Sequence, residues 1–361
     1  MKNTVNAKDF LEVITKATKI NKGKMSLPIL EQVKIQFDNN KCVITSTNLD
    51  QYGIFTIDAN GDNFTIVPEN TNSIVKACKY FDNDLIFDYD EEKNVLQLSS
   101  NNKSCKVCCF NGKDYPEVPE VVIENTYSNN AKTLFNRYEK IKYAISKDNI
   151  RPISTGVCFN KNQMVTLDGY RLAINSDNKL NIESKFVVPQ GTMNLINIFD
   201  KSDIEIGLCK KYIVFKNDNC TIISRLLEGE FFEYDSVIPK NNSDEYIVNV
   251  KQYVNELKYL KNFVENKEKN PVRFDDGKLC IKNSKGEFAA KVDIQGNVNT
   301  VYGFNIQYMM DGLSQFKDSD EITIKSGNAY SPIILTDNAD NLALVLPVRL
   351  KDGSDKKCSI R

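Results

Sequence analysis

The sequence predicts an α+β protein built from three tandem modules, each with two helices packed on antiparallel sheets. A short amphipathic helix that ends at a phenylalanine recurs three times, at Phe81, Phe199 and Phe316, so the intervals are 118 and 117 residues. An acidic turn and alternating strand-like residues follow each of these helices. A period this long indicates triplication of a domain, because the units of short-repeat solenoids run about 20–50 residues.

Each module also opens with an amphipathic helix of its own. Strand-like segments follow the first of these helices, as at 33–37 and 42–45. The apolar stripes of the three opening helices are Phe10, Val13, Ile14 and Ala17; Leu134, Tyr138, Ile141 and Ile145; and Val250, Tyr253, Leu257 and Leu260. Each module therefore has the order helix, strands, helix, strands.

The length of 361 residues, 41% of them hydrophobic, allows two or three compact domains of about 100–200 residues each. Turn-rich breaks near 116–119 and 239–244 separate the modules. The expected domains are 1–124, 125–244 and 245–350, followed by a C-terminal tail over 351–361. No stretch reaches the ~18–20 apolar residues of a membrane span, and the first residues lack the apolar core of a secretory signal. We therefore expect a cytoplasmic protein without membrane contact.

Lysines and arginines lie away from the apolar stripes of the helices in all three modules. A single lysine of this kind is typical of a solvated helix face, but its repetition in three modules favours a function. The net charge of −1 argues against a protein that binds nucleic acid over its whole surface. A basic lining would remain if the helices faced a channel. The candidate DNA-binding residues are Lys16, Lys19, Lys22, Lys24, Lys76, Lys79, Arg137, Lys140, Lys147, Arg151, Lys251 and Lys258.

Contacts from such a lining would go to phosphates and would be independent of base sequence and weakened by salt. That behaviour suits a protein that slides along double-stranded DNA.

Most enzyme classes are disfavoured, because histidine is absent and no phosphate-binding glycine motif is present. Cys105, Cys108 and Cys109 could suggest zinc, but they lack a second ligand pair and alternate as a strand would. Asp168 and Arg171 could form a catalytic pair, although a structural turn explains them more simply. We expect no catalytic site, no metal and no cofactor. The ten cysteines fit reduced, buried thiols better than disulfides.

Five segments, in the same order, resemble signatures of the bacterial DNA polymerase III beta subunit, the DNA sliding clamp. They are LPIL at 27–30, RPISTGV at 151–157, DGYRLA at 168–173, FNIQY at 304–308 and LPVRL at 346–350. The resemblance covers nearly the whole chain. It implies the DNA clamp fold and a head-to-tail homodimer that closes into a ring around duplex DNA. It also implies a processivity subunit of a DNA polymerase holoenzyme, with no catalytic site of its own.

The resemblance further implies a pocket that binds short linear peptides of the polymerase, the clamp loader and repair proteins. Carried over by motif, the pocket residues are Ser154, Leu167, Gly169, Tyr170, Arg171, Leu172, Pro239, Tyr308, Leu344, Leu346, Pro347, Val348 and Arg349. Leu167 stands where the family has threonine, and Ser154 stands where leucine is usual.

The same resemblance implies a subunit boundary, with Cys105 and Val107 set against Phe263 and Val264. The family often has a larger aromatic residue in place of Cys105. The tail over 351–361 extends beyond the family's usual end, where it could cover part of the neighbouring pocket.

One other class of function stays open. A diverged clamp paralogue could act as a protein-interaction scaffold that does not encircle DNA. Such a scaffold has no reason to keep cations opposite the core in all three opening helices, and it need not form a dimer.

Overall fold

The computed structural model describes residues 1–21, 25, 27–178, 180, 182–265 and 271–350. Two candidate DNA-binding residues, Lys22 and Lys24, and the tail over 351–361 lie outside the described residues. The described residues form six α-helices: α1 Ala7–Ala17, α2 Thr71–Cys78, α3 Ala131–Ile141, α4 Gln190–Leu195, α5 Val250–Lys261 and α6 Ile306–Ser314. These helices alternate with runs of strands, as the repeat predicts.

The described residues also form 26 strands, numbered in chain order. The first ten are β1 Lys2–Asn6, β2 Lys34–Asp38, β3 Lys41–Thr47, β4 Gln51–Asp58, β5 Asn60–Gly61, β6 Phe64–Pro68, β7 Asp84–Asp90, β8 Val95–Ser100, β9 Lys103–Phe110 and β10 Asn125–Asn130. The next eight are β11 Gly156–Lys161, β12 Gln163–Leu167, β13 Arg171–Ser176, β14 Ile182–Pro189, β15 Asp203–Leu208, β16 Tyr212–Lys216, β17 Cys220–Arg225 and β18 Asp244–Asn249. The last are β19 Val272–Asp275, β20 Lys278–Asn283, β21 Gly286–Lys291, β22 Ile294–Asn297, β23 Tyr302–Phe304, β24 Glu321–Ser326, β25 Ile333–Thr336 and β26 Asn341–Val345.

The chain divides into two compact units. The first consists of Met1–Phe135 and Gly191–Leu226, and the second of Asn136–Gln190 and Leu227–Arg361. The first unit has a sheet in the order β10-β15-β16-β17-β4-β3-β2-β6-β9-β8-β7-β1-β5. At its centre β4 pairs antiparallel with β17 over Gln51–Phe55 and Cys220–Ser224, so one sheet joins strands that lie far apart in the sequence.

Helix α1 shows how the sequence builds this unit. The side chain of Asn6 accepts hydrogen bonds from the backbone N–H groups of Lys8 and Asp9, which satisfies two donors that the helix itself leaves unpaired. Phe10, on the apolar stripe, is fully buried, and its ring packs edge-on against Phe87 with the ring centroids 5.0 Å apart. The predicted stripe therefore faces the core of the unit.

The second unit has two sheets. The larger follows the order β14-β11-β12-β13-β26-β25-β24-β18-β22, and the smaller follows β21-β20-β19-β23. Within the larger sheet β13 pairs antiparallel with β26 over Arg171–Asn175 and Asn341–Val345. This pairing repeats, in the second unit, the joining of distant strands that β4 and β17 make in the first.

Three fully buried tyrosines meet in the core beneath α5, and one of them, Tyr253, is on the helix itself. The hydroxyls of Tyr246 and Tyr302 share a hydrogen bond, and the ring of Tyr246 stacks on Phe274 with the centroids 5.4 Å apart. Burial raises the pKa of Tyr246, Tyr253 and Tyr302 well above the usual value of a phenol. All three therefore stay neutral and pack as large, mainly apolar groups.

The fold class and all six helices predicted from the sequence are confirmed. The three repeated phenylalanines are buried in the structure. Helix α2 ends at Cys78, before Phe81, and α4 gives way to a 3-10 turn over Ile196–Phe199. Among the described residues, no helix is long and apolar enough to cross a membrane.

Candidate functional site: an apolar cavity on the second unit

A cavity of about 660 Å³ opens on the second unit beside the junction of β13 and β26. The described residues that line it are Arg151, Pro152, Ile153, Ser154, Leu167, Gly169, Arg171, Leu172, Glu228, Gly229, Glu230, Phe232, Val237, Leu344 and Leu346. Eight of these fifteen residues are apolar, two are glycines, and five are polar or charged. This composition is typical of a site that binds an extended peptide by its apolar side chains.

The floor of the cavity is part of a buried apolar cluster. Leu172 on β13 lies directly opposite Leu344 on β26, and both belong to this cluster together with Val165 and Phe231. Strand alternation places Val165, Leu172 and Leu344 on one face of the sheet, and Phe231 from a loop packs against them. The floor therefore exists only because strands more than 150 residues apart in the sequence are paired in this register.

The turn before β13 holds one wall. The Oδ1 atom of Asp168 accepts hydrogen bonds from the backbone N–H groups of Tyr170 and Arg171, at 3.0 and 3.1 Å. Gly169, between Asp168 and Tyr170, has a φ of +87°, a backbone angle that residues with a side chain rarely adopt. The Asp-Gly pair is therefore required by the shape of this turn, and the turn aims Arg171 along the cavity wall.

Arg171 contacts two aspartates and two tyrosine rings. Its Nε atom donates to Asp168 Oδ2 at 2.9 Å, and its Nη1 atom donates to Asp311 on α6. The guanidinium also lies over the rings of Tyr308 and Tyr143, at 4.6 and 5.5 Å from the centroids. Its side chain is only 11% exposed.

Electrostatics favour the charged form of Arg171. Burial alone would lower its pKa, but the two aspartates outweigh that effect and raise the pKa. Burial raises the pKa of the neighbouring Tyr143 above its usual value, so this ring is neutral. Arg171 thus acts as a strut, meaning that its ion pairs connect the turn to α6. Most of its hydrogen-bond donors are therefore used within the protein.

Seven of the predicted pocket residues line the cavity: Ser154, Leu167, Gly169, Arg171, Leu172, Leu344 and Leu346. Six others do not: Tyr170, Pro239, Tyr308, Pro347, Val348 and Arg349. Tyr170 stacks on Tyr308 with the ring centroids 5.7 Å apart, so each ring partly covers the other. Pro347 bridges to Phe304, and the N–H of Val348 donates to Gly303 O, which turns this segment toward β23 and away from the cavity.

Sequence reasoning missed the loop over 228–232 and assigned Arg151 to DNA binding. Arg151 and the loop residues Glu228, Gly229, Glu230 and Phe232 all line the cavity. A glycine between two glutamates, followed by two phenylalanines, was the available local signal. It pointed to an exposed loop without indicating which surface the loop adjoins.

The predicted DNA-binding residues that the structure describes differ in exposure and in pairing. Lys19, Lys76, Lys79, Lys147, Lys251 and Lys258 are exposed on or next to helices, and Lys251 also lies 3.6 Å from Asp320 Oδ1. Arg137 must be withdrawn, because it is buried and donates from Nε to Asn175 Oδ1 at 2.5 Å and from Nη1 to Asp177 Oδ2 at 3.1 Å. Burial lowers the pKa of Arg137, and Asp177 opposes that shift.

Lys16 and Lys140 are engaged in ion pairs. In the first unit the Nζ atom of Lys16 lies 3.0 Å from Asp200 Oδ2 and 2.8 Å from Glu12 Oε1, in a polar cavity of about 490 Å³. In the second unit the Nζ atom of Lys140 lies 3.5 Å from Asp318 Oδ2. Each of these aspartates closely follows a repeated phenylalanine. The charges of the two lysines are therefore partly neutralised within the chain.

The predicted subunit-boundary residues lie on β9 of the first unit and after α5 of the second unit. Cys105 and Val107 are half-buried on β9, where only Cys109 and Phe110 pair with β6 among the described strands. In the second unit Phe263 follows α5 and stacks on Phe288 of β21, with the centroids 3.8 Å apart. Among the described strands, β21 has a partner on one side only.

The three cysteines on β9 follow the alternation of the strand. Cys109 is buried, Cys105 is half-buried on the same face, and Cys108 is exposed on the other. Burial raises the pKa of the Cys109 thiol to about 12. Among the residues that the structure describes, no group of three histidine, cysteine, aspartate or glutamate side chains is placed to hold a metal ion.

Three repeated α+β modules, joined where strands of successive modules pair, have the fold of a DNA clamp. The chain belongs to the DNA polymerase III beta subunit family, whose N-terminal, central and C-terminal domain profiles match residues 1–119, 129–233 and 235–349. Members of this family are sliding clamps, processivity factors without catalytic activity of their own.

Curated relatives and solved structures are similar over nearly the full length. The beta sliding clamps of Staphylococcus epidermidis and Staphylococcus aureus are each 24% identical over 379 aligned positions, covering 97% of this chain and 99% of the relative. A putative DNA polymerase III beta subunit from Eubacterium rectale superposes with a TM-score of 0.90 at 22% identity, covering 97% of this chain and 100% of that chain. A sliding clamp from Pseudomonas aeruginosa bound to griselimycin has a TM-score of 0.86 at 20% identity, with the same coverage.

Replacing Arg171 by alanine should lower the free energy of unfolding by about 2–4 kcal/mol, because it leaves two half-buried aspartates without their cation. Urea unfolding followed by circular dichroism measures this. Arg349→Ala is the control, since Arg349 is exposed, and it should change the value by less than about 0.5 kcal/mol. Equal effects of the two substitutions would show that Arg171 is not a strut.

Proposed function

We propose that two copies of this chain close head to tail into a ring that encircles duplex DNA and tethers the replicative DNA polymerase. The domains of each copy would be 1–124, 125–244 and 245–350. The ring would act in the cytoplasm. The observation that carries the proposal is the strand pairing between successive modules. It occurs twice within the chain, as β4 with β17 and as β13 with β26.

A third pairing of the same kind would close the ring. Both internal junctions are antiparallel, and each joins five pairs of residues. For the third junction we assign β9 in the first module, where Lys103–Val107 do not pair with β6, and the edge strand β21 in the third. Exposed strand edges tend to pair with another chain. Pairing of β9 with the β21 of a second copy, and the reverse, gives a two-fold arrangement in which both edges are covered.

The aromatic side chains near β21 support this contact. Tyr259 packs edge-on against Phe263, which stacks on Phe288, and Tyr259 is 46% exposed. Tyr259 stands two residues after the buried Leu257, as Lys16 and Lys140 stand two residues after Ile14 and Tyr138. The internal junctions thus carry a lysine where the proposed subunit boundary carries an aromatic ring. Apolar contact with Val107 and Cys105 would bury this cluster.

The variants Val107→Asp and Phe263→Asp should each convert the dimer into a monomer, because a carboxylate would be buried at the boundary without a partner. Light scattering after gel filtration should give about twice 41.1 kDa for the unchanged chain and 41.1 kDa for each variant.

Val122→Asp is the matched control, since Val122 is 82% exposed and lies on neither edge strand. This variant should remain dimeric. A monomeric unchanged chain would favour the other function, a protein-interaction scaffold that does not encircle DNA.

The exposed lysines of the helices would line the channel. Lys19 follows α1, Lys79 follows α2, and Lys258 lies on α5, so three different helices each contribute a cation. Lysine contacts to phosphates are sequence-independent and allow sliding. Because Lys16 and Lys140 are already paired with aspartates, we assign the main attraction to the exposed group.

The triple variant Lys19→Glu, Lys79→Glu and Lys258→Glu should reduce retention on nicked circular DNA by about tenfold or more, since it replaces attraction to phosphates by repulsion. Retention is measured by gel filtration of clamp loaded on labelled DNA. The control, Lys113→Glu with Lys210→Glu and Lys278→Glu, makes the same change in net charge at exposed residues outside the α-helices. Equal losses in the two variants would refute the assigned channel face.

The apolar cavity on the second unit would bind linear peptides of the polymerase, the clamp loader and repair proteins. Its floor is apolar and its volume suits one or two aliphatic or aromatic anchors. Leu346, 37% exposed at the rim, is open to such an anchor.

Leu346→Asp should weaken binding of a polymerase-derived peptide at least about tenfold, because a charge would face the apolar anchor. Calorimetry with the peptide and the folded dimer measures the dissociation constant. Leu27→Asp, at a residue 51% exposed in the first unit, is the control and should leave binding unchanged. Native affinity in Leu346→Asp would place the peptide site elsewhere.

A further inference from the structure

We infer that the cavity selects peptides that carry lysine or arginine next to their apolar anchors. The inference rests on the proposed function, since it takes the cavity to be a peptide site, and it adds the chemistry by which partners are chosen. Two carboxylates at the rim carry it.

Glu228 and Glu230 both line the cavity, and both are exposed. Within the described part of the chain, neither carboxylate has a lysine or arginine nitrogen within ion-pair distance. Gly229 separates them with a φ of +123°, a conformation that L side chains rarely adopt. This backbone angle at Gly229 fixes the turn of the loop, and the turn places both glutamates at the rim.

Glu233, directly after this loop, shows the contrast. Its Oε1 atom accepts a hydrogen bond from Lys185 Nζ at 2.7 Å, and it does not line the cavity. The acidic residue outside the cavity is therefore paired with a lysine, whereas the two at the rim have no counterion from the described residues.

The cations of the cavity do not cancel this charge. Arg171 is already bound to Asp168 and Asp311. Arg151 is the other cation in the lining, and it is exposed. The rim thus presents two carboxylates against one available guanidinium, which favours a cationic ligand over an anionic one.

The apolar wall beside these carboxylates suits the stem of a basic side chain. Phe232 follows Glu230 after one residue, lines the cavity and is 47% exposed. Lysine and arginine can lay their methylene groups along such a ring and keep their charge in water near the carboxylates. The same ring face attracts a cation directly.

Three labelled peptides test the inference with the full-length dimer. They share a leucine and a phenylalanine as anchors and carry lysine, glutamate or glutamine at the two flanking positions. In fluorescence polarisation at about 50 mM salt, the lysine peptide should bind about five- to tenfold more tightly than the glutamate peptide, with glutamine between them. The difference should fall below about twofold at about 500 mM salt, where screening is strong.

The double variant Glu228→Gln and Glu230→Gln should abolish the preference and keep the affinity for the glutamine peptide. The double variant Glu91→Gln and Glu92→Gln removes the same charge at exposed positions of the turn between β7 and β8, and it should keep the preference. Equal affinities for the lysine and glutamate peptides, or a preference that survives in the first variant, overturn the inference and leave the peptide site intact. Failure of all three peptides to bind overturns the peptide site itself, and the inference with it.

Discussion

Backbone pairing between strands of successive modules is the interaction on which the rest of the structure depends. In the second unit it sets Leu172 against Leu344 and so creates the floor of the apolar cavity. A shift of one residue in this register would turn both leucines to the opposite face. In the first unit the same kind of pairing sets Cys220–Ser224 against Gln51–Phe55. The strand register that forms each unit therefore also decides which side chains lie on its surface.

The side chains at the second junction reinforce the pairing. Arg171 is the first residue of β13, and its guanidinium is bound to Asp168 before the strand and to Asp311 on α6. Two tyrosine rings cover it. A charge held in this way is costly to disturb, because either aspartate left alone would be desolvated without a partner. The proposed peptide site thus has a wall whose arginine is already held by contacts within the protein, which lowers the entropy cost of binding.

The repeat, the six helices and most of the cavity floor could be predicted, because they depend on local periodicity and on short segments that resemble a family. The role of Arg137 could not. Its position on α3 suggested a side chain that faces solvent, but Asn175 on β13 accepts its hydrogen bond and covers that side of the helix. Likewise Lys16 meets Asp200 at a separation of 184 residues, for which the sequence contains no local signal. The loop over 228–232 joins the cavity only through tertiary packing.

The aspartates that bind Lys16 and Lys140 would weaken the attraction of the proposed ring for DNA. Each phosphate that a lysine neutralises releases condensed counterions and so adds to the salt-dependent affinity for DNA. A lysine that is already paired with a carboxylate contributes less to that affinity. In a closed ring, topology prevents dissociation, so weak attraction suffices. A ring of this chain, if it closes as proposed, would stay on DNA by enclosing it and would need only weak attraction to phosphates.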